Sequence, residues 1–296
     1  MNIFSNDRNL LVVPRGGLND ILCQLSRCYI YAHKENRNLL IDTKPSGIGL
    51  SLDVVFKRKN WAPIFFTDYK NFLLHSNGEI FPKVPIEVDG SIQFEYSGQL
   101  KNYVTKHSAQ IFTFNHNKSY DENTLIHLQC GGGDFGHLWF QLVEFQSNFL
   151  DDLKSKFSLL PEEYDAVHVR NTDMKTDFVK FFSEIKDDVR GKKLLVCSDN
   201  HDVITYAKLN LPAEEIITIS NIPQNGETRL HENNDYNQDE LYSNLVNSFA
   251  DLIALAFSKN LHLTKNVNGG ISGFSVLASN LFKNKQLLST MLENNG

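Results

Sequence analysis

The sequence is poor in cysteine, in surplus positive charge and in long apolar runs, and each shortage excludes something. Four cysteines (Cys23, Cys28, Cys130, Cys197) in 296 residues are too few to staple the chain, and a chain this long buries enough core not to need them. No two of them have zinc-finger spacing, so a reducing compartment is the simpler reading. Lys and Arg number 29 against 35 Asp and Glu, a formal charge of -6. A dedicated nucleic-acid binder needs a net or local excess of cations to displace counterions, and none is expected here. A small anionic ligand needs only a local basic spot. The longest apolar helix, near Leu245–Phe257, is broken by Asp251 and falls short of the ~20 residues that span a bilayer. The opening residues, MNIFSNDRNLLVVPRGG, lack a basic stretch followed by a long apolar one, so no secretory leader is expected. These absences predict a soluble, cytoplasmic protein and leave peripheral contact with a membrane open. What remains, 41% hydrophobic and 22% charged residues, is a globular balance.

The length suits two domains of ~150 residues, expected over 1–150 and 151–296. Leu10–Val13 reads as a buried strand that Pro14-Arg15-Gly16-Gly17 breaks. Leu18, Ile21, Leu22, Leu25, Cys28, Tyr29 and Ala32 then recur in steps of three and four, one face of a helix ending near Asn36. Leu39–Asp42 is the next strand. This is a βαβ unit, and its turn presents free N–H groups at a helix N-terminus, a ready anion site. Residues 43–150 are less regular. Ile64–Phe66, Ile92–Phe94 and Leu125–Gln129 read as strands, and Phe140–Leu153 reads as a helix. Gly131-Gly132-Gly133 is either a bend or a close approach to a ligand.

The second half predicts strands at Ala166–Arg170, Lys193–Cys197, Ile216–Ile219 and Leu261–Thr264. Helices are expected at Phe178–Ile185, from Asn200 to Leu209, from near Asp239 and from near Phe274. A polar loop, Pro223–Asn237, precedes the third, where Asn237 and Glu240 have capping-box spacing. Such alternation makes a doubly wound parallel sheet whose ligands sit beyond the C-terminal strand ends. The fold class is therefore α/β, two Rossmann-type domains facing across a cleft, a favoured place for a ligand. Neither the turn after Leu10–Val13 nor the one after Leu261–Thr264 reads G-x-G-x-x-G, which argues against bound NAD there, and the chain has no G-x-x-x-x-G-K-[ST], which argues against a P-loop kinase or sulfotransferase.

The richest stretch is His168-Val169-Arg170-Asn171-Thr172-Asp173. Arg170 can give a phosphate two parallel charge-assisted hydrogen bonds. Equally, Arg170 and Asp173 can form a local ion pair, with His168 a satisfied core residue. With Lys175 and Asp177, this segment resembles the H-V-R-R-T-D region of the α1,6-fucosyltransferases, of both the nodulation-factor and the N-glycan core type. Gly16-Gly17-Leu18-Asn19-Asp20, Gln24 and Arg37 through Asp42 resemble the G-G-L-G-N-Q…R-T-L-x-I-D opening that these share with α1,2-fucosyltransferases. Val196-Cys197-Ser198-Asp199 resembles a strand ending in T-D-D. Asp251 through Leu255, then Ser272 and Leu277-Ala278, resemble the close D-x-x-x-L-S…S-S-Q-x-x-R-L-A. These matches run in family order, while 50–160 shows almost none.

The resemblance implies a GT-B-like fold and inverting sugar transfer with no metal and no cofactor beyond the donor; the sequence has no D-x-D motif. Without a metal, a cation and helix N-termini must stabilise the departing diphosphate, and a base must take the acceptor proton. By the resemblance Arg170 and Ser272 bind the diphosphate, and Gly16, Gly17 and Asn19 belong to the first domain's phosphate turn. Asp199, which closes the T-D-D-like strand, is a further donor-binding residue, Asp251 reads guanine N1 and N2, and His168 lies near the guanine and ribose. Three positions depart from the pattern. Asn171 replaces the second arginine, the glutamate base falls near Phe178, and Ile271-Ser272-Gly273 replaces S-S-Q. The base is therefore Asp177, or second Asp173. Read without the family, Gly16, Gly17 and Ser272 are tight turns with a cap, Asp251 is a solvated helix residue, and Asp173 and Asp177 are surface carboxylates.

The expected reaction moves L-fucose from GDP-fucose to a hydroxyl of an oligosaccharide or lipid-linked glycan, in polysaccharide biosynthesis. Another nucleotide sugar in polysaccharide or lipopolysaccharide synthesis, or a decayed glycan-binding protein, are the alternatives. Trp61, Phe65, Trp139 and Phe140 are candidate sugar-stacking aromatics; core packing is their other fate.

Overall fold

The computed structural model describes residues 8–76, 78–106, 110–221 and 236–293. Its chain divides into two compact units, Met1–Glu144 and Phe145–Gly296.

In the first unit β1 (Asn9–Val12) is buried along its whole length. An apolar strand hidden on both faces belongs in the middle of a parallel sheet. It pairs with β2 (Asn38–Ile41) on one side. The remaining elements in chain order are β3 (Phe56–Arg58), β4 (Ile64–Phe66), α2 (Tyr69–His75), β5 (Ile80–Phe81), β6 (Phe94–Ser97), β7 (Asn102–Thr105) and β8 (Thr124–His127). The sheet runs β4-β2-β1-β8-β5, parallel throughout. Between β1 and β2 lies α1 (Leu18–Lys34), whose predicted stripe of Ile21, Leu22, Leu25, Cys28 and Ala32 is buried. The chain leaves α1 through Asn36 at φ 51°, a left-handed turn that asparagine tolerates.

Two residues of the opening motif serve this framework. Arg37, 2% exposed, donates to the carbonyls of Asn9, Tyr120, Glu122 and Asn123. Asp42 accepts from the N–H groups of Lys44 and Tyr69. The expected strand at Ile92–Phe94 begins only at Phe94; Ile92 makes a single bridge to Ile86. Phe140–Leu153 is not one helix. A 3₁₀ turn (Gly136–Gln141) leads into β9 (Val143–Phe145). Val143 and Phe145 are buried while Glu144 between them is not, an alternation of period two that suits a strand.

The second unit opens with α3 (Ser147–Phe157), so the boundary expected at 150 falls inside a helix whose Phe149, Leu150 and Leu153 are buried. Next come β10 (Asp165–Val169), α4 (Phe178–Ile185), β11 (Lys193–Ser198), α5 (His201–Asn210), β12 (Glu215–Ile217), α6 (Gln238–Phe257), β13 (Leu261–Leu263), α7 (Gly273–Lys283) and α8 (Gln286–Glu293). The sheet order is β12-β11-β10-β13, again all parallel. Val167, Val169 and Val196 face Phe182 and Ile185 of α4 and Val203 and Ile204 of α5. His168 and Cys197, partners in register, lie on the opposite pleat, toward α6 and α7. The expected capping box of α6 is formed by Asn237 and Glu240. The polar loop expected at Pro223–Asn237 lies outside the described residues, apart from Tyr236 and Asn237. Among the described residues no helix is long and apolar enough to cross a membrane.

Candidate active site

Strand β10 ends at Val169, so Arg170 stands one residue beyond it, at the C-terminal edge of the sheet. Parallel pairing brings the end of β11 alongside, and Ser198 Oγ donates to the Val169 carbonyl at 2.8 Å. The next residue, Asp199, then meets the β10–α4 loop. It accepts from Asn171 N–H and from Thr172 Oγ1, both at 2.7 Å, and pairs with Arg170 Nη1 at 2.9 Å. Asp173 takes the other side of the guanidinium, 2.9 Å from Nε and 2.7 Å from Nη2. Three of the five N–H donors an arginine carries are thus held by two carboxylates. The Asp199 side chain is 5% exposed and that of Asp173 22%, so Asp199 is the fixed partner and Asp173 the one that can leave.

Asn171, where the resembling pattern has its second arginine, is buried and closes this loop by accepting from Thr176 N–H at 3.1 Å. Asp177 caps α4, accepting from Lys180 N–H at 3.0 Å. Its carboxylate does a structural task and stays exposed.

The third strand end, β13, leads to α7. Ser272 caps that helix by accepting from Ser275 N–H at 3.1 Å, and its own hydroxyl donates to Ser275 Oγ at 3.0 Å. Ser275 Oγ lies 2.7 Å from His168 Nδ1. With Ser272 donating to Ser275, the Ser275 proton is directed at Nδ1, which leaves the histidine proton on Nε2. Burial pushes His168 down to about 4, so the ring is neutral near pH 7, and it lies 4.9 Å from the ring of Phe274. Ser272 is in this way hydrogen-bonded, through Ser275, to the strand that carries Arg170. A further bond, Val267 N–H to the Lys175 carbonyl at 3.0 Å, joins the two loops.

Asp251 of α6 is no solvated helix residue. Ser220 Oγ donates to it at 2.6 Å, as does the thiol of Cys197, and burial raises its carboxyl to about 6. The Cys197 thiol is pushed well up by burial and by Asp251. Since Cys197 faces His168 in register, Asp251 belongs to the same side of the sheet as His168 and Ser275.

In the first unit Gly16, Gly17 and Asn19 form a separate cluster. Gly16 has φ 107°, and a Cβ there would lie 2.8 Å from Asp20 Oδ2. Gly17 caps α1 with no side-chain hydrogen bond. Asn19 Nδ2 donates to the Gly133 carbonyl at 2.9 Å, and Gln24 Nε2 to those of Arg15 and Gly131. A Cβ at Gly132 would lie 2.6 Å from Asp20 Oδ1, so the glycine at 132 is required by the start of α1. Of the candidate aromatics, Trp139 and Phe140 are core, Phe65 lies under the Arg58 guanidinium, and Trp61 is 61% exposed.

The structure thus gathers His168, Arg170, Asp173, Asp199 and Ser272 at one edge of the second sheet, with Asp251 on the same face. Sequence reasoning missed Ser275, Ser220 and Thr172. Only Ser275 left a signal, a second hydroxyl three residues after a cap.

No protein-family model matches the chain, and no curated protein sequence matches it. Solved structures do. The fucosyltransferase NodZ from Bradyrhizobium superposes with a TM-score of 0.63 at 16% identity, covering 93% of each chain. NodZ α-1,6-fucosyltransferase soaked with GDP-fucose gives 0.62 at 17%, over 93% of this chain and 92% of that one. A mutant of Arabidopsis thaliana FUT1 in complex with GDP gives 0.53 at 13%, over 94% of this chain and 71% of that one. At such identities the likeness is one of fold: the chain is a mixed α/β protein with parallel sheets and has the GT-B-like fold of NodZ.

Proposed function

We propose that the protein is an inverting, metal-independent glycosyltransferase that moves L-fucose from GDP-fucose to a hydroxyl of an oligosaccharide or lipid-linked glycan in polysaccharide biosynthesis. The observation that carries this reading is the placement of Arg170 and the α7 N-terminus at adjoining strand ends, linked through His168, Ser275 and Ser272. Solved proteins with this fold have been crystallised with GDP and soaked with GDP-fucose. A leaving diphosphate gathers negative charge as the sugar–oxygen bond breaks, and fixed cations and helix N-termini aimed there lower the barrier.

Arg170 is pre-aimed by Asp199 and offers its two remaining N–H groups to a phosphate oxygen. A bound diphosphate competes with Asp173 for the guanidinium and displaces it, because Asp173 is the more exposed partner. Freed from its cation, that carboxylate becomes more basic. We assign Asp173 as the base ahead of Asp177, whose oxygen is committed to the α4 cap. The acceptor oxygen bonds to the anomeric carbon, the bond from that carbon to the diphosphate breaks, and the acceptor proton passes to Asp173. Asp251 suits the guanine edge, which presents two donors to one carboxylate. His168 Nε2–H is a neutral donor for the nucleoside. The protein acts in the cytoplasm on this reading.

One observation favours a second reading, glycan binding without turnover: Arg170 is outnumbered by two carboxylates, and Asn171 brings no second cation. A thermal-shift panel of GDP, UDP, CMP and dTDP followed by a GDP-fucose turnover assay separates the readings. The transferase reading expects stabilisation by GDP above the others and release of GDP from GDP-fucose. Stabilisation by another nucleotide alone rejects the fucose donor, and GDP binding without turnover supports the second reading.

A further inference from the structure

Three side chains with no part in the proposed transfer converge inside the first unit. Cys28 comes from α1, His116 from the segment before β8, and His127 is the last residue of β8. The Cys28 sulfur and one ring nitrogen of each histidine all lie within 4.8 Å of one another. Cys28 is fully buried and His127 is 4% exposed. Nε2 of both histidines is buried without a hydrogen-bond partner. One orphaned buried nitrogen calls for an explanation, and two beside a thiol point to something that binds lone pairs.

The surroundings prepare the rings for that task. Burial lowers His116 to about 4 and His127 to about 3, so each is neutral near pH 7 and carries a lone pair. Thr113 Oγ1 stands 2.8 Å from His127 Nδ1. With that oxygen accepting Nδ1–H, the lone pair falls on Nε2. This is the outer-shell contact by which metal-binding histidines are oriented. The Phe114 ring lies 4.5 Å from that of His116 and Tyr31 lies 5.7 Å away. The Tyr31 hydroxyl is used on the Lys118 carbonyl.

We propose that Cys28, His116 and His127 form a three-coordinate site for a soft d10 metal ion, copper(I) in preference to zinc(II). Thiolate and imidazole select such ions. Charge and coordination number decide between the two. One thiolate makes a copper(I) complex neutral but leaves a zinc complex at +1, inside an aromatic pocket where Arg27 already adds positive potential. Zinc also calls for a fourth ligand. Bond lengths near ~2.0–2.3 Å require ligand separations of roughly 3.4–3.8 Å, so groups within 4.8 Å of one another close in by at most about 1.4 Å on binding. The step is an exchange without redox change: the Cys28 S–H bond breaks, a sulfur–copper bond forms, and one proton leaves to solvent. The site would pin α1 to β8.

The test is an anaerobic titration of the whole protein with copper(I) against bathocuproine disulfonate, beside a zinc(II) titration against a chromophoric indicator. The expected result is one copper(I) per chain, one proton released and a higher Tm. Cys28→Ser should abolish uptake. His116→Gln, at a less buried position, should fold with an unchanged metal-free Tm and bind at least tenfold more weakly. No stoichiometric copper(I), or uptake unchanged in both variants, overturns the site. Zinc(II) bound in place of copper(I) overturns the choice of ion. None of these outcomes depends on turnover of a nucleotide sugar.

Discussion

Each unit leads from a parallel strand end into a helix through glycines, and α1 and α7 differ in what answers the helix dipole. At α1 the cap is Gly17, which gives no side-chain hydrogen bond, and Asp20 sits in the first turn. The Asp20 carboxylate packs against Gly16 and Gly132, and burial raises its pKa. A negative group therefore already occupies the positive end of that helix. At α7 Ser272 caps with its hydroxyl and the first turn has no acid. Arg170 stands at the end of the neighbouring strand. Two glycine turns that look alike in sequence thus differ in charge: the first carries an acid of its own chain in the first helical turn, and the second carries none.

Removing Arg170 should have the largest effect on this contrast. Arg170→Ala should lower kcat/KM for transfer by 10²–10³ or more, about 3–4 kcal/mol of transition-state stabilisation. Gly16→Ala should leave the donor KM within a few-fold; a collapse there with Arg170→Ala unaffected would reverse the comparison. Asp251→Asn comes next, with effects of opposite sign on binding and stability. A carboxyl raised to about 6 holds its proton in the folded state where the unfolded chain has lost it, so stability falls as pH rises from ~4 to ~6. The amide removes that cost. Denaturant melts should show a gain of about 1–3 kcal/mol at pH 7.5 that is gone at pH 4, while GDP affinity drops tenfold or more.

Smaller effects separate the glycines. Gly16→Ala should destabilise by about 1–2 kcal/mol, because its φ is left-handed and its Cβ meets Asp20. Ser272→Ala should cost about 1 kcal/mol through the lost cap. Gly17→Ala should change stability by less than ~0.5 kcal/mol, since Gly17 has φ -77° and open space around its Cβ. Thermal melts of the three variants check the order.

The elements that position the site were legible because they repeat one pattern. A short apolar run next to a helix with one stripe locates β1, β2, β10, β11 and β13 to within a residue or two. The middle of the first unit was not. β3 and β5 are two or three residues long, and β6 exposes Glu95 and Tyr96, so neither length nor alternation marks them. Of the site, the Arg170–Asp173 pair is local and visible as an ion pair at i,i+3. The His168–Ser275 bond joins residues 107 apart, and no window along the chain contains both. Asp251 looked like a helix carboxylate because Ser220 and Cys197, which enclose it, arrive from other elements. The Cys28 group was hidden in the same way: Cys28 reads as one more apolar position in the α1 stripe.

The most direct test compares calorimetric titrations of GDP and guanosine into the wild-type protein and Arg170→Ala. The account predicts that the diphosphate strengthens wild-type binding at least a hundredfold over guanosine, and that most of this advantage disappears in the variant while guanosine binds as before. A GDP advantage that survives unchanged in Arg170→Ala would contradict it.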